Sequence, residues 1–363
     1  MNILILRVSS IGDVIHTLPA IFLIKKSCPQ AKISWVVQKK VASILLNQPF
    51  LQKVWILPDN FLYPKNWNPT LKILKEIRLV KWSAILDFQG IVKTSILSLF
   101  LKGTKYGFDS KNSKVGFTSF FNSKHIIPIY TNIIQKNLAL ASQMLLQEKI
   151  NTSQCLSISK LKNYFQLNFT KQNKLEVEFW LKKKKINKFI ILAPNTTWPS
   201  KHWPQNNWQT LLKMLSKNNI AKSFYSFVLV GKDFGDQSKN LARYIKEKNL
   251  NIYLAPKWNL LSICYLVSKS SLIVAPDTGL LHIADFLEKN AIGIFGPTLA
   301  KKHGPFIFTQ NIKNAIQIKC PHLYKKNHSS IWKNNKKTGT KTNCMYKLSP
   351  EMLYKEILNF LNG

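Results

Sequence analysis

Met1-Asn2-Ile3-Leu4-Ile5-Leu6-Arg7-Val8, followed by Ser9-Ser10-Ile11-Gly12-Asp13-Val14-Ile15-His16-Thr17-Leu18-Pro19, decides the fold class. Residues 3–8 form a short, nearly unbroken apolar run, as expected of a strand covered on both faces. Residues 14–26 then carry helical spacing. Strand, sharp turn and helix in that order are α/β grammar. A dinucleotide-binding turn would place Gly-x-Gly-x-x-Gly at this point so that backbone can approach a pyrophosphate. Only Gly12 is present. A carboxylate, Asp13, stands instead at the tip of the first strand, where open α/β sheets put their ligands. Asp13 has two readings: a cap for the helix, or a general base facing a cleft.

Working outward, the alternation continues. Strands are expected at 33–37, 54–57 and 84–88, with helices at 70–80 and 91–101. The pattern then repeats: strands at 189–193, 226–230, 252–254, 272–275 and 291–295, helices near 208–216, 237–248, 260–268 and 280–288. At roughly 150 residues per domain, 363 residues hold two such α/β units. The expected architecture is two Rossmann-like domains facing each other across a cleft. The boundaries read as domains 1–170 and 189–345, a linker at 171–188 containing Lys182-Lys183-Lys184-Lys185, and a final helix within 346–363 that starts at Ser349-Pro350-Glu351.

Composition narrows the class. With 45% hydrophobic and 12% aromatic residues the chain can bury real cores. Its 53 Lys+Arg against 16 Asp+Glu leave a net charge of +37. A positive field suits nucleic acid, an anionic membrane surface or a phosphorylated substrate. Lysine-rich coding bias on a solvated surface explains it equally well. No nucleic-acid motif accompanies the charge, so nucleic acid is the distant alternative. Five scattered cysteines do not make a disulfide framework. The opening apolar run lacks the basic start and cleavage site of a signal peptide. The longest apolar stretch, 84–101, is broken by Asp87, Gln89 and Lys93, so no membrane span is expected.

Two junctions of the second half carry chemistry. Ala275-Pro276-Asp277-Thr278-Gly279-Leu280-Leu281-His282 puts free backbone N–H groups at a helix start, where the dipole favours anions. That is a seat for a diphosphate, with His282 one turn further on. Pro194-Asn195-Thr196-Thr197-Trp198-Pro199-Ser200-Lys201-His202-Trp203-Pro204 adds hydroxyls and a cation. Cys320-Pro321-His322, His328 and Cys344 offer zinc-type ligands, but their spacing forms no compact pair and reads as a lysine-rich loop with stray ligands.

Four of these motifs, 9–19, Asp87-Phe88-Gln89-Gly90-Ile91-Val92-Lys93, Lys201-His202-Trp203-Pro204 and 277–282, resemble glycosyltransferase family 9 in their order along the chain, and Phe295-Gly296-Pro297-Thr298 fits as well. The resemblance implies a GT-B fold and an inverting transfer that uses no metal and no cofactor. It implies movement of L-glycero-D-manno-heptose from ADP-heptose to Kdo of Kdo2-lipid A, with another acceptor or sugar of the same family as the alternative. It also implies a peripheral place on the anionic cytoplasmic face of the inner membrane. Carried over residue by residue, Asp13 is the base. Thr196, Thr197, Lys201, Asp277, Thr278, Gly279 and His282 serve the donor. Asp236 or Asp233 is implied for the ribose and Trp258 beside adenine. Gly12, Lys93, Lys114 and Lys65 serve the acceptor. The first domain would bind acceptor and the second the ADP-sugar, with the final helix packing back on the first. Two departures stand out: loop 58–68 offers Lys65 among aromatics where the family is arginine-rich, and Asn132 occupies a place where relatives carry histidine.

Overall fold

β1 (Asn2–Leu6) forms where the sequence is most continuously apolar, and its last four residues are fully buried. Burial on both faces demands neighbours on both sides, and β1 pairs in parallel with β2 (Lys32–Gln38) and β4 (Ala84–Asp87). β3 (Lys53–Leu57), β5 (Thr104–Phe108) and β6 (Lys124–Ile126) complete a six-stranded parallel sheet of order β3-β2-β1-β4-β5-β6. The computed structural model describes residues 1–130, 132–150, 167–218, 225–231, 236–304, 314–318 and 344–362.

A second sheet repeats the plan. β7 (Phe189–Leu192), β8 (Ser226–Leu229), β9 (Tyr253–Leu254), β10 (Leu272–Pro276), β11 (Asn290–Phe295) and β12 (Asn314–Gln317) lie in the order β12-β11-β10-β7-β8-β9, again all parallel. Numbered within its own unit, each sheet has its first strand beside its fourth, the doubly wound order whose reversal point is a ligand crevice. The chain accordingly divides into Met1–Asn168 and Phe169–Gly363.

The helices restart where proline requires it. The expected helix over 14–26 is two, Ile11–Ile15 and Leu18–Ser27, because Pro19 in the first turn of the second supplies no N–H to continue the first. The segment 171–188 is not a linker. Lys171–Lys183 is a helix capped by Thr170, whose side-chain oxygen accepts the Asn173 amide at 3.2 Å. Val177 and Trp180 turn inward, and the helix packs on Leu260–Lys269, so it belongs to the second unit. Its lysines are exposed, with Lys185 in the left-handed conformation just beyond the helix.

The final helix, Pro350–Leu361, corrects a second expectation. It packs on Gln205–Lys217, and Leu353 and Ile357 enter the core of the second unit with Leu211, Leu215 and Trp208. Spaced four apart, these two residues share one helix face, and the apolar surface they meet is that of their own unit.

Candidate functional site

Each sheet carries one polar cluster at its reversal point. In the first unit Arg7 follows β1 and is completely buried. Its guanidinium donates to the Phe88 carbonyl just beyond β4 and, at 2.7 Å, to Asp13 Oδ1. Asp13 Oδ2 accepts the Ser10 amide at 3.2 Å and lies 3.0 Å from Lys114 Nζ. Burial alone would push the Asp13 carboxyl up; Arg7, then Lys114 and His16, outweigh it and hold the acid well below the usual carboxylate range. The side chain keeps 21% exposure, so this carboxylate is ionised yet reachable. Asp13 closes the capping box of its helix on Ser10, and part of its side chain stays exposed.

The neighbouring loop fixes that geometry. Gln89 accepts the Val8 amide through Oε1 at 2.8 Å and donates to the Ser9 carbonyl at 2.9 Å, tying the β4 loop to the β1 loop. Asp87, at the end of β4, accepts the Gln89 and Gly90 amides at 2.8 and 3.0 Å and the Thr94 hydroxyl at 2.8 Å. Burial still drives its carboxyl upward against those bonds. Gly90 holds a φ of +56°, and a Cβ there would come within 3.3 Å of the Ser113 backbone.

In the second unit the acid comes from the fourth strand instead. Asp277 follows β10 and keeps 7% exposure. Its Oδ2 lies 2.6 Å from Lys201 Nζ and accepts the Thr298 hydroxyl at 2.7 Å, and its Oδ1 lies 3.1 Å from His282 Nε2. Burial opposes ionisation, but His282 and Lys201 overcome it and keep Asp277 charged. Thr278 stands at the N-cap of Gly279–Phe286, whose first amides point out of the helix. Lys201 has three N–H donors, so the pair with Asp277 leaves others for an anion.

His303, at the end of the short helix Ala300–His303, feels the same charges. Burial, with Lys302, Lys201 and His282, outweighs the attraction of Asp277 and lowers its imidazole to about 4. Asn195 bridges the loops after β7 and β8, donating to the Gly231 carbonyl at 3.0 Å and accepting the Ser238 amide at 3.2 Å. An unbroken pair of doubly wound sheets, each with an ion-paired carboxylate at its reversal point, narrows the family sharply. The profile described as Glycosyltransferase family 9 (heptosyltransferase) matches residues 70–333.

The chain belongs to glycosyltransferase family 9. It is similar to lipopolysaccharide heptosyltransferase 1 of Campylobacter coli, 30% identical over 301 residues that cover 82% of this chain and 84% of that protein. It is 25% identical to lipopolysaccharide heptosyltransferase 1 of Escherichia coli strain K12 over 308 residues, 82% of this chain and 88% of that one. The fold matches the E. coli heptosyltransferase WaaC with ADP at a TM-score of 0.74 and 20% identity, covering 99% of this chain and all of that one. It also matches E. coli ADP-heptose lps heptosyltransferase II at 0.71 and 16%, covering 100% and 99%. This glycosyltransferase therefore has the GT-B fold.

The structure joins Asp13 with Lys114, and Lys201 with Asp277 and His282. Gly12 is buried beside Asp13, and Lys93 sits half-buried in the first turn of Val92–Leu99. Thr196 is turned inward on its own loop, its hydroxyl donating to the Trp198 carbonyl at 2.7 Å, while Thr197 is exposed. Lys65 and Asp236 are exposed and belong to neither cluster's ion pairs. Trp258 is buried, its ring edge-on to Trp180 with centroids 5.4 Å apart, and helps seat the Lys171–Lys183 helix. Asn132 caps Ile133–Gln147, accepting the Ile134 amide at 2.9 Å. Asp233, Cys320, His322 and His328 lie outside the described residues, and Cys344 is buried in the apolar core of the second unit. Arg7 and His303 join the clusters without having been singled out. The signal for Arg7 was a lone charge within an apolar strand run, and for His303 there was none.

Proposed function

We propose that this enzyme moves L-glycero-D-manno-heptose from ADP-heptose to a Kdo hydroxyl of Kdo2-lipid A, inverting the anomeric centre without a metal. The observation that carries the reading is the division of labour between the clusters of a family 9 chain: a reachable, ionised acid behind β1 and a lysine-armed helix start behind β10. An inverting transfer needs both, a base for the acceptor and stabilisation for the leaving diphosphate.

In this reading the Kdo oxygen attacks the anomeric carbon from the face opposite ADP and its proton passes to Asp13. The bond to the diphosphate breaks, and ADP leaves with the electron pair. Lys201, the Thr196 and Thr197 hydroxyl loop and the Thr278-Gly279 amides receive its charge. Asp277 and His282 hold Lys201 in place, and Asp236 serves the ribose. Gly12, Lys93, Lys114 and Lys65 serve the anionic acceptor. Arg7 and Lys114 keep Asp13 charged at the cost of basicity, so this base works through position more than through an elevated pKa. Among the described residues no helix is long and apolar enough to cross a membrane. The enzyme's place in this reading is peripheral, on the cytoplasmic face of the inner membrane.

Incubation with ADP-heptose and Kdo2-lipid A, following acceptor mass and ADP release with and without a chelator, tests the whole scheme. One heptose gained, undiminished by chelation and slowed by about 10²–10⁴ in Asp13→Ala, is the expected result. ADP-heptose bound but this acceptor untouched would move the assignment to another acceptor. A rate lost on chelation would remove the metal-free step.

A further inference from the structure

The Asp13 carboxylate is held by two cations of unlike standing. Arg7 is completely buried, its Nη2 lies 2.7 Å from Asp13 Oδ1, and its Nη1 donates to the Phe88 carbonyl. It cannot withdraw without leaving a charge unpaired in the interior. Lys114 lies 3.0 Å from Oδ2 with 46% of its side chain exposed. In the other cluster, Lys201 and Asp277 keep only 20% and 7%. An ion pair as open as that of Lys114 costs little to part.

The loop that brings Lys114 is firmer than its side chain. It follows β5, and the residues on either side of Lys114 are tied down. The Ser113 amide donates to the Asp109 carbonyl at 2.9 Å and its hydroxyl to the Phe108 carbonyl at 3.0 Å, while the Val115 amide donates to the Gly90 carbonyl at 3.1 Å. Asp109, the acid of the same loop, is engaged by the Asn112 side chain at 2.6 Å and the Lys111 amide at 3.3 Å. The backbone is thus fixed, while the ammonium at the end of a flexible four-carbon stem can turn between partners.

Oδ1 faces the buried arginine, so a hydroxyl arriving from solvent meets the carboxylate on the side of Oδ2, where the Ser10 amide and Lys114 already donate. A proton is accepted there only when one of those donors gives way, and Ser10 is committed to the capping box. Charge points to the lysine as well. Arg7 and Lys114 bring two positive charges to the one negative charge of Asp13, a surplus that an anionic ligand completes.

We propose that Lys114 is a removable cap on the base: a carboxylate of the acceptor draws its ammonium away from Asp13 Oδ2 and opens that oxygen to the acceptor's hydroxyl. Lys114 is then a positioning residue that makes an acid group on the acceptor a condition of transfer. The hydroxyl proton passes to Oδ2 and Lys114 keeps its own throughout, so one ion pair is exchanged for another. The inference rests on the proposed function in taking Asp13 as the base and a Kdo sugar as the acceptor.

Heptose transfer by wild type, Lys114→Met and Lys114→Arg is measured on a delipidated Kdo acceptor and on the same acceptor with its carboxylate converted to the uncharged amide. Wild type should favour the carboxylate by about 10² in kcat, the lower end of what a working base contributes. Lys114→Met should show a raised KM for the carboxylate acceptor and yet act on the amide about tenfold faster than wild type, because its base is already open. Its kcat/KM on the amide should also start to fall at a higher pH on the acid side, since losing a cation raises the acid's hold on a proton and leaves Arg7 and His16. Lys114→Arg keeps the charge and should restore the preference for the carboxylate. Lys114→Gln repeats the comparison should the Met variant not fold, and melting curves check each.

A Lys114→Met enzyme slowed equally on both acceptors would make the lysine structural, and one impaired on the carboxylate but no faster on the amide would make it a plain binding contact. Either result overturns the inference, as does a wild type that treats the two acceptors alike, and all three leave the proposed function standing. No heptose moved to either acceptor by any of the proteins would remove the proposed function and the inference with it.

Discussion

The two reversal points share a topology and oppose each other in chemistry. Behind β1 the acid follows the first strand, held by a buried arginine and a half-exposed lysine, with its side chain partly exposed. Behind β10 the acid sits on the fourth-strand loop, nearly enclosed, and the cation Lys201 comes from the first. One arrangement presents a negative charge and the other uses a buried negative charge to aim a positive one. Doubly wound sheets therefore fix where a ligand goes, while the loop that bears the acid decides the sign offered to it.

Asp13→Ala would break the comparison most severely. Transfer should fall by about 10²–10⁴, the usual worth of a positioned base, with ADP-heptose affinity unchanged by calorimetry. Equal losses in binding and rate would mean Asp13 is structural. Asp277→Ala should instead act on the fold, leaving Lys201 without its counter-charge and His282 without its carboxylate partner. A loss of about 3–5 kcal/mol is expected for an ion pair so enclosed, read as a lowered denaturation midpoint. An unchanged midpoint would make the second cluster as open as the first.

Thr298→Val keeps the shape and removes one hydrogen bond to Asp277, so about 1 kcal/mol should go, with the heptose-donor KM rising more than kcat falls. The effect confined to acid pH concerns His303. Its folded pKa of about 4 lies below the ordinary 6.5, so the unfolded chain binds more protons between them. Stability is then fully present above pH 6.5 and declines as pH falls toward 4. His303→Gln should flatten that part of the pH–stability curve, and an unaltered slope would mean that burial does not hold His303 neutral.

Much of this was legible in the sequence, for a physical reason. The central strands β1, β4, β7 and β10 are largely apolar, so their runs are continuous, and Asp13, Lys201 and Asp277 lie on the segments that follow β1, β7 and β10. β5 and β6 escaped notice because they lie toward the sheet edge, where Thr104, Lys105 and Lys124 meet solvent and dilute the pattern. The helix Lys171–Lys183 was hidden by its lysines, which outnumber the Val177 and Trp180 that seat it. Thr298 and His303 were not legible as site residues because each acquires its role from Asp277 on another loop.

The packing of Gly296 gives the far end of the chain an unexpected reach. A Cβ at that glycine would strike Met345 Sδ at 2.4 Å and Cys344 Sγ at 3.0 Å, two residues before Thr298 reaches Asp277. A few residues on, the Leu348 carbonyl accepts both the Trp203 indole at 3.0 Å and the Asn207 amide at 3.0 Å, just past Lys201. The last twenty residues thus act as a buttress under both loops that grip Asp277. Anyone shortening this protein for crystallisation, or splicing a reporter near residue 345, would be altering the loops around Asp277 from a place that no sequence motif marks.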